Sequence, residues 1–282
     1  MTPIEQIKKL AGNFVFNQVL YPRDSFLSDA FLNQDENIDP WLEIMYGNYN
    51  EKINFASTWC LKHPGNVLDL SNNSGDLAIN LVKQGTEVSV LENSSTKLSQ
   101  MREAKENLDS QQKSKLHIYP LEINKLELDE TFQNAFVSHQ ILEQAESEIA
   151  ILGTLRKIIA HLESEANIFI ELHNLDYFEN RNFFREALWH YASLPIEKQA
   201  LGRLWERTFP GSKDSQTIFE YAVSDRFNQF SLHRSTIHLF NLDQWMKLFE
   251  VAGLIVEECF GGWRQSVITS QHPIMTFYLK RK

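Results

Sequence analysis

The chain of 282 residues carries 27 basic and 37 acidic side chains, a formal net charge of −10. That balance lacks the cationic footprint of a nucleic-acid binder, in which phosphate neutralisation supplies most of the affinity. With 43% hydrophobic and 23% charged residues, the composition is that of a globular chain with a substantial core, which excludes disordered, collagen-like and coiled-coil readings. The two cysteines, Cys60 and Cys259, stand far apart without a CxxC pair, so neither a disulfide framework nor a structural zinc is expected. The nine histidines are scattered and form no metal-ligand pattern. No secretory signal is evident, and no run reaches the roughly 18 apolar residues of a membrane span. The expectation is a cytoplasmic protein without membrane or nucleic-acid partners.

In chain order, residues 1–63 are aromatic-rich and irregularly helical, with Trp41, Tyr46, Tyr49 and Trp59 among polar residues. Residues 64–172 then alternate short apolar runs with amphipathic ones. Pro64-Gly65 marks a turn, and 66–70 is a short buried strand. A helix from Gly75-Asp76 buries Leu77, Ile79, Leu81 and Val82, and Gly85 closes it. Residues 87–91 form the next strand, and Asn93-Ser94-Ser95 caps a charged helix reaching about Leu108. Further strands are expected at 116–119 and 135–137, a helix at 149–161, and a central strand at 167–172. Residues 173–235 are an insertion rich in aromatics, Arg and His. Around its end, SLHRSTIHLF alternates like a strand. Asn241 caps a helix through Trp245, Leu248 and Phe249 to Ala252, Gly253 closes it, and strands follow at 254–256 and 274–279.

Strands separated by helices imply parallel pairing with right-handed crossovers. The last two strands are joined by a link without helical pattern and suit an antiparallel hairpin. The expected fold is therefore a single α/β domain, a three-layer Rossmann-like sandwich with a mostly parallel sheet and an antiparallel last strand. Residues 64–172 and 236–282 form its core. A helical, aromatic lid would come from residues 1–63 and the 173–235 insertion.

Ligands of such sheets bind beyond the carboxyl ends of the strands, where strand order reverses. The loop after the first strand, Asp69-Leu70-Ser71-Asn72-Asn73-Ser74-Gly75-Asp76, is thus the place to look. The next strand ends at Glu92, 17 positions beyond Gly75. A carboxylate there can accept from both hydroxyls of a ribose; a solvated acid at a helix N-terminus is the alternative. A nicotinamide dehydrogenase wants GxGxxG here, and only Gly75 is present.

On the segments VLDLSNNSGDLAINL, EVSVLENSS, FVSHQILEQ and WMKLFEVAGLIVEECFGGW, the chain resembles the class I S-adenosylmethionine (SAM)-dependent methyltransferases. The resemblance covers about residues 40–172 and 236–282. It implies SAM as cofactor, with Asp69 at the methionyl end and Gly75 letting the backbone pass close. Glu92 would take the ribose and Glu122 would sit near the adenine amine. Ser71, Asn73, Asn93 and Ser138 lie on the same loops and complete the expected cofactor contacts. Ser71 and Asn73 stand where the family usually has glycine. Asn tolerates positive φ, whereas the Ser71 Cβ lies where the backbone should approach the ligand. Asn134 replaces an Asp at the start of the family's fourth strand. Glu163-Ser164-Glu165-Ala166 replaces a Pro-Gly-Gly turn before the fifth.

By the same resemblance Tyr46 and Tyr49 close over the cofactor, and Tyr49 joins His139 as a catalytic candidate. His139 follows the fourth strand, and a histidine at its unperturbed pKa serves as a base at neutral pH. Trp41, His173, Trp189, His190, Arg234 and His238 are the expected acceptor-binding residues. The aromatics among them suit an apolar pocket, and Arg234 a bidentate contact with an acidic acceptor. The expected activity is methyl transfer to oxygen or nitrogen of a small molecule. The alternative is a non-catalytic methyltransferase-like binding protein with a lost or repurposed cofactor site.

Overall fold

A computed structural model describes residues 31–32, 49–71, 75–180, 190–196, 200–210, 216–224 and 230–282. Two compact units emerge, residues 50–177 with 239–282 and residues 1–49 with 178–238. In chain order the first elements are β1 (Phe31–Leu32), α1 (Tyr49–Lys62), β2 (Val67–Leu70), α2 (Asp76–Lys83) and β3 (Val88–Leu91). Next come α3 (Ser95–Glu106), α4 (Ser110–Ser114), β4 (Leu116–Tyr119), a 3-10 turn (Ile123–Lys125) and β5 (Phe132–Val137). They are followed by α5 (His139–Glu143), α6 (Glu148–Ala160), β6 (Leu162–His173) and α7 (Leu175–Asn180). Strands β7 (His190–Ile196), β8 (Ala200–Pro210), β9 (Gln216–Ser224) and β10 (Phe230–His238) precede α8 (Leu242–Ala252), β11 (Leu254–Phe260) and β12 (Ile274–Arg281).

The larger unit is built on one seven-stranded sheet in the order β11-β12-β6-β5-β2-β3-β4. Strands β6, β5, β2, β3 and β4 run parallel, while β12 pairs antiparallel with both β6 and β11. The expected mixed sheet with its antiparallel last strand is therefore present. Because side chains alternate across a strand, each parallel strand feeds two cores, which is why these segments read as unbroken apolar runs. Leu68, Leu70, Ala135, Val137, Ile168 and Ile170 face one core, with Leu155 of α6 and Trp245 and Phe249 of α8. Val67, Val88, Val90, Phe136 and Phe169 face the other, with Ala56 of α1 and Leu77 and Leu81 of α2.

Helix α1 is anchored by aromatic edges. Phe55 and Trp59 meet the Phe169 ring at 5.0 and 4.8 Å, both at 74°, the edge-to-face geometry that ring quadrupoles favour. Asn134, buried at the start of β5, ties three elements together. Its Oδ1 accepts from Trp59 Nε1 (3.3 Å) and Asn167 Nδ2 (3.0 Å), and its Nδ2 donates to the His63 carbonyl at 3.4 Å. The departure from Asp noted at this position thus serves the sheet and α1. It lies at the strand end remote from the carboxyl edge.

The smaller unit holds a five-stranded sheet in the order β1-β10-β9-β8-β7. It is antiparallel throughout except for β1, which runs parallel to β10. From residue 190 on, the described part of the segment expected as a helical and aromatic lid is thus β-sheet. The period-2 alternation of SLHRSTIHLF is the sequence trace of β10. Residues 50–62, read from sequence as part of the N-terminal helical segment, pack as α1 against the larger unit's sheet.

Candidate functional site

The chain passes from β2 outward through β3 to β4, then returns to β5 and β6 on the other side of β2. Strand order therefore reverses between β2 and β5, and the loops at their carboxyl ends flank the crevice such sheets offer to ligands. Asp69, Ser71, Glu92 and Ser138 are all brought to this edge and buried.

Asp69 is locked by its own turn, for Oδ1 accepts the Ser71 N–H at 2.9 Å. Its Oδ2 is buried without a partner among the described residues. Burial pushes the Asp69 carboxyl above its ordinary value; hydrogen bonds from Ser71 and the charge of Lys52 pull it back, and Glu92 adds to the rise. Glu92 is only 3% exposed. Its Oε1 accepts the N–H groups of Asn93 and Ser94, each at 2.8 Å, while Oε2 has no partner among the described residues. The Ser138 hydroxyl is in the same condition. A buried acceptor left without a donor costs about 1–3 kcal/mol, so this cluster is built for donors that the described protein groups do not supply.

Gly75 precedes α2 with φ +87°, and a Cβ there would meet Met101 Cγ at 2.8 Å. Asn93 is exposed and contributes through its backbone N–H. Glu122 is exposed too, opening the 3-10 turn with Oε2 3.5 Å from Lys125 Nζ. The structure does not bring its carboxylate into the buried cluster.

A second cluster lies at the carboxyl end of β6. His173, the last residue of that strand, is gripped twice by Glu143 of α5, which is 0% exposed. Glu143 Oε1 accepts the His173 backbone N–H at 2.7 Å, and Oε2 stands 2.6 Å from Nδ1. The two contacts hold the imidazole ring in one orientation at the carboxyl end of β6. The neighbouring turn is pinned as well, since Asn174 Nδ2 donates to the carbonyls of Thr269 (3.0 Å) and His272 (2.9 Å).

A third cluster joins α1 to β6. Lys52 Nζ stands 3.7 Å from Glu171 Oε1, and Trp263 Nε1 donates to Glu171 Oε2.

His139 opens α5, Tyr49 opens α1, His190 opens β7 and Arg234 lies in β10 directly opposite Glu220 in register. The side chains of these four lie outside the described residues. His238 ends β10 and is buried. Trp41, Tyr46, Asn73 and Trp189 lie outside the described residues altogether.

No family model and no curated protein matches the sequence. Solved structures do match in three dimensions. The methyltransferase CcbJ from Streptomyces caelestis is 14% identical with a TM-score of 0.69, covering 84% of this chain and 98% of its own. CalS10, an amino pentose methyltransferase from Micromonospora echinaspora solved with SAM, is 14% identical with a TM-score of 0.64, at 89% and 100% coverage. The glycopeptide N-methyltransferase MtfA, solved with S-adenosylhomocysteine, is 18% identical with a TM-score of 0.60, at 94% and 100% coverage. The chain has the fold of the class I SAM-dependent methyltransferases.

Within this methyltransferase fold, sequence reasoning gave no role to Lys52, Glu143, Glu171 or Trp263. Lys52 had one available signal, for it shares the buried helical stripe of Ala56 and Cys60 at a spacing of four. Glu143 and Glu171 had none, because their partners come from other elements.

Proposed function

We propose that the protein is a SAM-dependent methyltransferase that transfers a methyl group to oxygen or nitrogen of a small-molecule acceptor. The observation that carries this reading is the pair of half-satisfied buried carboxylates at the strand-order reversal, Asp69 and Glu92. Their spare oxygens call for donors, which the α-ammonium and the ribose hydroxyls of the cofactor provide. When bound, SAM supplies an electrophilic methyl group on a sulfonium. Ser138 and Ser71 line the same edge, with Asn93 contributing its backbone. Gly75 keeps α2 close to the loop, and Asn73, Glu122 and Tyr46 are assigned to the cofactor on the resemblance alone. The surplus of acidic groups around the loop favours a cofactor with two cationic centres over an anionic nucleotide.

Methyl transfer from a sulfonium depends chiefly on alignment, so the acceptor side needs few catalytic groups. His139, with Tyr49, is the candidate to receive a proton from an O–H or N–H acceptor, and His173, its ring held by Glu143, is assigned to the acceptor. His139 opens α5 and Tyr49 opens α1, and Trp41, Trp189, His190, Arg234 and His238 are assigned to the acceptor. CalS10 and MtfA act, by their names, on an amino pentose and a glycopeptide, which supports a small polar acceptor. A reducing, cytoplasmic setting fits two free thiols that burial pushes up to about 12, since neutral thiols are poor nucleophiles.

Calorimetric titration with SAM and with S-adenosylhomocysteine tests the reading. Binding of both at micromolar concentration is the expected result. No heat and no thermal shift at millimolar ligand would overturn it and leave the fold as a scaffold for another ligand.

A further inference from the structure

Asp69 of β2, Phe136 of β5 and Phe169 of β6 lie side by side in register, and two residues beyond them stand Ser71, Ser138 and Glu171. The strands are still paired at this level, for the Ser138 N–H donates to the Leu70 carbonyl at 3.1 Å. Side chains two apart on a strand share a face, so these three form a row across the carboxyl edge. Strand β12 extends the row, because Thr276 pairs directly with Glu171. Phe260 of β11, opposite Thr276, ends it with an aromatic side chain.

The row is buried and its hydroxyls are unsatisfied. Glu171 accepts from Trp263 and faces Lys52. By contrast the hydroxyls of Ser71, Ser138 and Thr276 have no hydrogen-bond partner among the described residues. Thr276 is the extreme case, at 2% exposed. A buried hydroxyl without a partner is unfavourable, and a valine of the same shape would avoid that penalty.

The cofactor accounts for only one end of this row. With its amino-acid group at Asp69 and its ribose at Glu92, SAM spans β2 and β3, with Ser71 and Ser138 beside it. Thr276 lies three strands from β2, on the side away from β3, a distance of about 14 Å. An acceptor approaches the methyl group from the side that the cofactor leaves open, over β5, β6 and β12. With its reacting atom near Ser138, its far end meets Thr276 about 10 Å away, across two strand spacings. That span suits a single substituted ring.

We propose that Thr276 is a specificity-determining residue of the acceptor site, its hydroxyl hydrogen-bonding a hydroxyl at the far end of a single-ring acceptor and so selecting hydroxylated acceptors over apolar ones. The inference rests on the SAM reading above and deepens it by naming the acceptor class.

The test uses the full chain saturated with S-adenosylhomocysteine and two probes, D-glucosamine and cyclohexylamine, which share a ring and an amine but differ in hydroxyls. By calorimetry the wild-type complex is expected to bind glucosamine at least tenfold more tightly. Thr276→Val should remove that preference by weakening glucosamine about tenfold and leaving cyclohexylamine unchanged, whereas Thr276→Ser should keep it. Four results overturn the proposal while leaving the SAM reading intact: equal affinities in wild type, binding of neither probe, equal weakening of both by Thr276→Val, or a preference that survives in that variant. Failure of S-adenosylhomocysteine itself to bind overturns the SAM reading, and the proposal with it. A second measurement needs no acceptor, for Thr276→Val should raise the Tm of the ligand-free protein by about 2 °C or more. An unchanged or lower Tm would show that the hydroxyl is satisfied within the protein, and would overturn the proposal.

Discussion

Gly75 is the one glycine that the cofactor loop retains, and its backbone shows why. At φ +87° any side chain is strained, and a Cβ would press on Met101 Cγ at 2.8 Å. Gly75→Ala is expected to cost about 1–3 kcal/mol, read as a lower urea midpoint at unchanged slope. Glu92 carries a different kind of load. Its Oε1 is already committed to two backbone N–H groups, so only Oε2 is left for a ligand. Glu92→Ala should weaken S-adenosylhomocysteine by a charge-assisted bond of about 1.5–3 kcal/mol, about tenfold or more in Kd. An unchanged Kd would remove Glu92 from the ribose. Asp69 couples stability to function. Burial raises its carboxyl in the folded state, so the fold keeps a proton that the unfolded chain has lost. Stability therefore falls as pH rises through the window between the unfolded and folded values. Asp69→Asn removes that loss and is expected to raise the Tm of the ligand-free protein at pH 7 while abolishing tight SAM binding. At pH low enough to protonate Asp69 in both states, the Tm gain should vanish. A lower Tm at pH 7 would show that the carboxylate is satisfied within the protein.

At the scale of elements, Asn134 is the joint that ties α1 and its following turn to the sheet. Asn134→Leu leaves Trp59 Nε1 and Asn167 Nδ2 without their acceptor, each worth about 1–3 kcal/mol when buried. The variant should unfold at lower denaturant; an unchanged midpoint would show that neither bond matters. The sequence carried most of the larger unit's elements, because apolar runs of four to six residues between capped helices allow few other readings. Ser94 and Asn241 do accept the capping hydrogen bonds expected of their clusters, and Gly253 closes α8 in the left-handed conformation. Strand lengths were less legible. β6 begins at Leu162 rather than near Asn167, since Glu163, Ser164 and Glu165 look like a loop until the neighbouring strand is known. The cofactor loop was legible as a motif. Lys52 and the Glu143–His173 pair were not, since a charged residue on a helix reads as solvated until tertiary packing buries it.

At the scale of the molecule, the chain gathers into two compact units, and strands β7 to β9 of the smaller one were not legible in the sequence. The reason is the composition of β7 to β9. GRLWERTF in β8 mixes aromatic and charged residues without a strict period of two, so neither helix nor strand wins on pattern. Their pairing depends on partners in neighbouring hairpins, which local periodicity does not reveal.

The position of β12 has a consequence for how the protein is made. Strand β12 follows both β6 and β11 in the chain, yet it takes the place between them in the sheet. Until β12 has left the ribosome, β6 lacks its partner on that side and β11 lacks the strand it pairs with among the described residues. The nascent chain therefore exposes an unpaired strand edge until β12 is delivered and slides between its two neighbours.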